Sequence, residues 1–470
     1  MKAPLKSFLL LLFSCFFMLS CQSYYRKNLD FNNHFQKGDF EKANKILDSD
    51  KKAEKRKTKL LFYMNKGVVF SLMGKYKESN EYFEKAYIFI QDNTNKPMDI
   101  AAAMVTNSNV IEYSGEEFEK LLIHYYKAIN FMKLQENEAA LVECRRMNIR
   151  LQILNDKYKG ANKYKKDAFM HLLMGLIYDA NAEYNNAFIA YRNAYEIYLS
   201  DYTKFFNTEA PLQLKKDILR TAYLSSLFDE LDRYEKEFNL VLEKSNSKNG
   251  DLVFLWQNGL GPIKEEWAIN FAVIKGQGGV IVFQNQELGL NFSFPMSDAD
   301  YKSNGLGDLK VIRVAFPKYI ERSTLYHKAD LVIDNEIKHL ELAEDINKIA
   351  FKCLEQRMLE ELGKSLLRVA LKQAAEYQLR KKNEGAGAVL GIINAATEKA
   401  DTRNWQTLPY SIYYTRVSMP EGTHNIKLLT FENNGRSTEI PFTFIIKKGN
   451  TILHSFQSLE TIPFNFNVNY

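Results

Sequence analysis

A spaced pattern of small and aromatic residues occurs twice in the first half of the 470-residue chain, and it constrains the fold more than any other feature. In the first copy, Gly67 is followed by Phe83. In the second copy, Gly175 is followed by Tyr191, and equivalent positions lie 108 residues apart. This spacing is typical of a tetratricopeptide unit, in which small residues stand where two helices touch and aromatic rings fill the groove between them.

Weaker copies of the unit lie before, between and after these two. A partial copy contains Gly38 and Phe40, a poorer one runs from Ala128 to Met147, and a helical region at 217–240 matches badly. Each hairpin leaves an apolar face that only a neighbour can cover, so such arrays need three or more units. We therefore predict a degenerate tetratricopeptide-like array over residues 21–245, with its concave face as the candidate surface for binding a protein partner.

The first 20 residues are typical of a bacterial lipoprotein signal peptide. Lys2 and Lys6 are followed by an apolar run at 8–19, which is shorter than the roughly 20 residues that span a bilayer. The run ends in Leu-Ser-Cys, which resembles the lipobox whose cysteine, here Cys21, receives lipid. We predict a lipid anchor at Cys21 in the outer membrane, with the protein facing the periplasm, because Gln22 follows instead of an aspartate. The alternative is an ordinary secretory signal with a chance cysteine.

The hydrophobic period changes near residue 245, and short apolar runs separated by glycine-rich turns follow. Such runs predict strands of a sandwich or a strongly twisted sheet. From about residue 341 the period becomes helical for some 40 residues, and we expect the array to be a packing partner of this long helix. The predicted fold class is therefore α+β, with the helical array followed over 246–470 by a β-sandwich-like domain that carries a long helical insertion at about 341–397.

The sequence contains no recognisable catalytic motif. Its seven histidines form no His-Glu-x-x-His pair, its four cysteines lack metal-ligand spacing, and no Gly-x-Ser-x-Gly elbow occurs. The net charge of +6 is spread over the chain and predicts no nucleic-acid surface. We expect no cofactor, no metal, no nucleic-acid partner and no enzymatic activity.

One polar and aromatic cluster, Asp401, Arg403 and Trp405, is a candidate site. An arginine can bind a carboxylate or phosphate, and a tryptophan can stack on a ligand. In the structural alternative, Asp401 caps, Arg403 pairs with a buried carboxylate, and Trp405 fills the junction between helix and strand. We favour the structural alternative.

Three segments carry a resemblance to a known family: GDLVFLWQNGLGPIKEE at 250–266, VAFPKY at 314–319, and ADTRNWQTLPYSIYYTRVSMPEGTH at 400–424. They resemble an uncharacterised family of bacterial lipoproteins with an N-terminal tetratricopeptide-like region. The resemblance implies a location and an architecture but no catalytic residue. The resulting hypothesis is an outer-membrane-anchored periplasmic lipoprotein that acts as a non-catalytic scaffold or partner-binding protein in a cell-envelope assembly. The alternative is a ligand-binding lipoprotein whose C-terminal β domain recognises glycan or peptide.

Overall fold

The structure, a computed structural model, describes residues 23–94, 111–157, 164–243, 248–276, 280–295, 310–334, 336–386 and 399–462. The predicted signal peptide and Cys21 lie outside these ranges. The chain is α+β, as predicted: helices fill the described part of the N-terminal half, and sheets dominate the part that follows.

The N-terminal half forms a stack of helical hairpins. Its helices are α1 (Tyr24–Lys27), α2 (Leu29–Gln36), α3 (Phe40–Ser49), α4 (Lys59–Leu72), α5 (Tyr76–Thr94), α6 (Glu117–Lys133), α7 (Asn137–Lys157), α8 (Ala168–Ala180), α9 (Tyr184–Ile197), α10 (Thr203–Phe206), α11 (Leu212–Leu224) and α12 (Phe228–Phe238). A π-helical turn at Tyr198–Tyr202 joins α9 to α10. The paired helices are α2 with α3, α4 with α5, α6 with α7, α8 with α9, and α11 with α12.

The hairpins pack as the sequence spacing predicts. A Cβ atom placed on Gly67 of α4 would lie 2.6 Å from the ring of Phe83 on α5, and one on Gly175 of α8 would lie closer still to the ring of Tyr191 on α9. Only a residue without a side chain allows the helices to approach this closely. The predicted contact between a small residue and an aromatic ring is therefore confirmed in both copies.

The C-terminal half contains three four-stranded sheets. The strands are β1 (Asn249–Asn258), β2 (Ile263–Gly276), β3 (Val280–Asn285), β4 (Leu290–Pro295), β5 (Val311–Ile320), β6 (Tyr326–Ile333), β7 (Glu336–His339), β8 (Glu341–Asp345), β9 (Ser411–Pro420), β10 (Gly422–Glu432), β11 (Ser437–Ile446) and β12 (Thr451–Ser458). The first sheet has the order β12-β1-β9-β8, the second β11-β10-β6-β7, and the third β4-β3-β2-β5. Neighbouring strands are antiparallel except β1 and β12, which are parallel.

Strand β1 is buried on both faces, which explains its continuous apolar run. Val253 and Leu255 belong to a core that also contains the helical hairpins. The alternate residues Leu252, Phe254 and Trp256 belong to a second core, shared with the β11-β10-β6-β7 sheet. The first sheet therefore lies between the helices and the second sheet. The domain boundary at 245 stays a prediction, although one hydrophobic core crosses it.

The long predicted helix is α13 (Ile346–Lys382), whose 37 residues span about 55 Å. It begins later than position 341 because Glu341–Asp345 pairs with β9 as strand β8. Asp345 then caps the helix by accepting a hydrogen bond from the backbone N–H of Lys348 at 2.8 Å. The helix packs on the third sheet, where the rings of Phe351 and Tyr319 lie 5.7 Å apart. The expected contact with the array also exists, through Arg357, which binds Glu116.

Candidate functional site: the seam between helices and sheets

Residues 400–409, here called the seam segment, connect the region after α13 to strand β9 and lie against the helical array. Almost all of these residues are buried. A buried segment outside regular structure must satisfy its polar groups with side chains, and this one does so on both sides. Its partners on the helices include Asn32, Asn65, Glu119 and Tyr126; its partners on β2 include Lys264 and Glu266.

The candidate residues Asp401 and Arg403 bind each other. The Arg403 guanidinium donates from Nε to Asp401 Oδ1 at 2.8 Å and from Nη2 to Oδ2 at 2.7 Å. Its Nη1 atom donates to the carbonyl oxygen of Ile111 at 2.9 Å, and the group lies 5.4 Å from the ring centroid of Tyr113. Burial raises the pKa of the Asp401 carboxyl, but the hydrogen bonds and charge of Arg403 outweigh it and lower the pKa overall. Asp401 is thus the partner of Arg403 instead of a helix cap.

Trp405 is buried between two helices. Its ring centroid lies 5.8 Å from that of Tyr126 on α6 and 6.1 Å from that of Phe83 on α5. Its indole N–H donates to Thr407 Oγ1 at 2.8 Å, and its backbone N–H donates to Glu119 Oε1 at 2.7 Å. Only 1% of the residue surface is exposed, so the ring is engaged within the protein. The three candidate residues therefore share one segment and contact the helices with their side chains or backbone.

A buried carboxylate, Glu116, lies at the start of α6 and joins three parts of the fold. It accepts two hydrogen bonds of 2.6 Å from Arg357 of α13, and Lys264 of β2 lies 2.5 Å from its Oε1 atom. Burial would raise the pKa of the Glu116 carboxyl, but the charges of Arg357 and Lys264 hold it well below its usual range. Glu119 completes a capping box with Glu116, which fixes the N-terminus of α6.

A second cluster surrounds Arg416 of β9, which is buried. Its Nη2 atom donates to Asp179 of α8 at 2.6 Å, its Nε atom to Asp217 of α11 at 2.7 Å, and its Nη1 atom to Asp251 of β1 at 3.0 Å. Arg220 also pairs with Asp179. The sequence reasoning missed Arg416, although a charged residue within an apolar strand pattern was an available signal.

A third cluster contains two carboxylates and no ion pair among the described residues. The Tyr202 hydroxyl lies 2.9 Å from Glu344 Oε2 of β8 and 3.2 Å from Asp167 Oδ1, at the N-terminus of α8. A second hydroxyl, that of Tyr164, donates to Asp167 at 2.5 Å. Burial, followed by the charge of Asp167, raises the pKa of Glu344 well above its ordinary value. Burial also raises the pKa of Asp167. The sequence reasoning did not single out these residues either.

The first helix of each hairpin is covered by the C-terminal half. On α6, every residue from 118 to 130 is buried. The second helices differ, since Val142, Ile149 and Ile153 of α7 are exposed on one helical face. First helices line the concave face of such an array, so the surface predicted to bind a partner is occupied by the chain itself.

The described residues offer little to a metal ion or a reactive thiol. No group of three or more His, Cys, Asp or Glu residues among them could hold a metal. Cys144 and Cys353 are free, and burial raises the pKa of both thiols, which disfavours the reactive thiolate. None of the helices that the structure describes is long and apolar enough to cross a membrane.

Comparison with known proteins adds little. No protein-family model matches the chain, and no curated protein matches it. A solved structure, the crystal structure of MamA protein, is similar at 16% sequence identity and a TM-score of 0.28, over 46% of this chain and 96% of MamA. At this level the likeness identifies neither a family nor a function.

Proposed function

We propose that the protein is a non-catalytic scaffold lipoprotein, anchored in the outer membrane through Cys21 and facing the periplasm, that binds a protein partner of the cell envelope. Membership of the lipoprotein family that the sequence resembles is part of the proposal. The helices and sheets would act as one body, because Glu116, Arg416 and the seam segment join them through buried polar contacts.

The observation that carries the proposal is the contrast between the two faces of the array. The first helices are covered by the chain's own sheets, whereas α7 keeps Val142, Ile149 and Ile153 exposed at 37%, 55% and 42%. These residues lie at spacings of seven and four, so they form one stripe on the helix. A protein partner would therefore bind the outer face of the array instead of the concave face.

The ligand-binding alternative is less well supported. Arg403 uses three of its donor nitrogens on Asp401 and Ile111, and the Trp405 ring packs on Tyr126 and Phe83. A glycan or peptide would have to displace these contacts before it could reach either side chain.

The test is crosslinking in intact cells followed by affinity capture and mass spectrometry. Three variants are compared with the native protein: Cys21→Ala, the double variant Ile149→Glu with Ile153→Glu, and a matched control, Ile445→Glu. Ile445 is 66% exposed on β11, away from the array. Exposed substitutions of this kind change stability little, so folding is checked by the melting temperature.

We expect one or two envelope proteins that are lost in the α7 double variant and in Cys21→Ala but kept in Ile445→Glu. Equal recovery with the α7 variant would reject the outer face as the binding surface. Recovery of glycan or peptide fragments in place of a protein would favour the ligand-binding alternative.

A further inference from the structure

The described chain is fixed in the fold from its first residue. Ser23 is 5% exposed, and its hydroxyl donates to Glu265 Oε1 of β2 at 2.8 Å. The backbone N–H of Tyr24 donates to Thr402 Oγ1 of the seam segment at 2.9 Å. Ser23 also caps α1 by accepting a hydrogen bond from the backbone N–H of Arg26. No free linker therefore separates Ser23 from the folded body.

The following residues strengthen this attachment. Tyr25 is buried, with its ring centroid 6.0 Å from the guanidinium of Arg322. Asn32 of α2 donates to Gln406 of the seam segment at 3.0 Å. Further along α2, Gln36 donates to Thr461 at 2.6 Å. The N-terminal helices are thus held to the C-terminal half at several separate points.

The distance from Ser23 to the proposed anchor is short. Cys21 precedes Ser23 by two residues. Two extended residues reach at most about 7 Å. The polar layer on each side of a bilayer core is also only about 5–8 Å thick. A lipid on Cys21 would therefore bring the surface around Ser23 to the level of the phospholipid headgroups.

The surface around Ser23 has the side chains expected at that level. Arg26 and Lys27 of α1 are exposed, and Arg26 lies 3.6 Å from Glu265. Trp267 on β2 is half-buried, and the ammonium group of Lys318 on β5 lies 6.0 Å from its ring centroid. Basic residues attract anionic headgroups, and tryptophan is enriched at membrane interfaces.

We propose that this face, formed by α1 and the adjoining parts of β2 and β5 around Glu265 and Lys318, rests directly on a phospholipid surface that carries anionic headgroups. The inference depends on the lipid anchor in the proposed function. It adds that the short tether holds the protein in one orientation on the membrane. Four hairpin-to-hairpin steps of roughly 10 Å then place α12 about 40 Å from the first hairpin, at the opposite end of the array.

The experiment uses the full lipidated protein in vesicles of phosphatidylethanolamine and phosphatidylglycerol. A fluorescent maleimide is attached to Lys27→Cys or, as the matched control, to Lys236→Cys on α12; both native positions are exposed lysines. Quenching by a headgroup-spin-labelled phospholipid is measured for each, with the background from Cys144 and Cys353 subtracted. We expect the fluorescence at position 27 to be largely lost and that at position 236 to be unchanged.

A second variant tests the tether. A flexible Gly/Ser insertion of about 12 residues between Gln22 and Ser23 adds roughly 20 Å of reach, so we expect it to restore most of the fluorescence at position 27. Unchanged quenching would overturn the role given to the short tether. Equal quenching at positions 27 and 236 without the insertion would overturn the orientation. A protein that floats with vesicles no better than its Cys21→Ala variant would overturn the anchor itself, and this inference with it.

Discussion

The Arg416 and Tyr202 clusters join the helices to the same sheet but balance buried charge in different ways. Arg416 is surrounded by three aspartates, each of which accepts one of its hydrogen bonds. Tyr202 instead places one hydroxyl between Asp167 and Glu344, which form no ion pair among the described residues. The first cluster is stable when ionised, whereas the second needs at least one carboxyl to keep its proton.

The pKa directions express this difference. Burial would raise the pKa of Asp179, but Arg416 and Arg220 outweigh burial and lower it. No cation offsets burial at Glu344, so its pKa is raised well above the ordinary value. The comparison teaches that two contacts in one interface can respond to pH in opposite directions. Asp179 contributes stability that is lost on acidification, and Glu344 contributes stability that is lost as the pH rises.

The largest effect is expected from Arg416→Met. The substitution leaves buried aspartates without their cation, which costs about 3–5 kcal/mol of unfolding free energy. Urea denaturation at neutral pH measures the change, and Arg436→Met, at an exposed turn position, is the control. A loss no larger than that of the control would mean that the aspartates find other partners.

A smaller effect is expected from Tyr202→Phe, which removes the hydroxyl but keeps the ring. Two buried carboxylates then lose a hydrogen-bond donor, at a cost of about 1–3 kcal/mol. The same denaturation measurement applies, with Tyr223→Phe on the exposed surface of α11 as the control. If the two variants are equally stable, the hydroxyl does not join the carboxylates in solution.

The smallest effect at neutral pH, and the sharpest test of the comparison, is expected from Glu344→Gln. The native carboxyl has a folded pKa above its ordinary value of 4.5, so its contribution is complete below that value and is lost as the pH rises through the folded pKa. The glutamine cannot ionise, so the unfolding free energy of the variant should fall less with rising pH. Urea unfolding at about pH 5, 6.5 and 8 measures the slope.

The control for this prediction is Glu336→Gln, since Glu336 is exposed on β7. It should leave the slope unchanged. A Glu344→Gln slope that matches the native protein would contradict the proton-retaining cluster.

The parts of the fold that rest on local spacing could be predicted from the sequence. Gly67 and Phe83 are 16 residues apart, within one hairpin, and their contact follows from helix geometry alone. The burial of Trp405 could also be expected, because it lies in an apolar and aromatic segment. The start of α13 was placed too early because strand β8 adjoins the helix directly and short apolar runs fit both periods.

The seam itself could not be predicted, because its contacts join distant parts of the chain. Arg416 and Asp179 are 237 residues apart, and no local pattern connects them. The occupied inner face of the array was missed for the same reason, since the sequence of α6 alone does not reveal which surface the sheets will cover. One sequence contains the residues of such a pair but not their register.

The parallel pairing of β1 with β12 also sets an order of events during folding. Strand β1 begins at Asn249, but its partner β12 begins only at Thr451. At about 5–20 residues per second, synthesis of the intervening 200 or so residues takes roughly 10–40 s. During that interval the helices can form hairpins while their inner face still lacks its cover. A chain that stops before β12 would therefore expose apolar helix surface, the kind of surface that chaperones and proteases recognise.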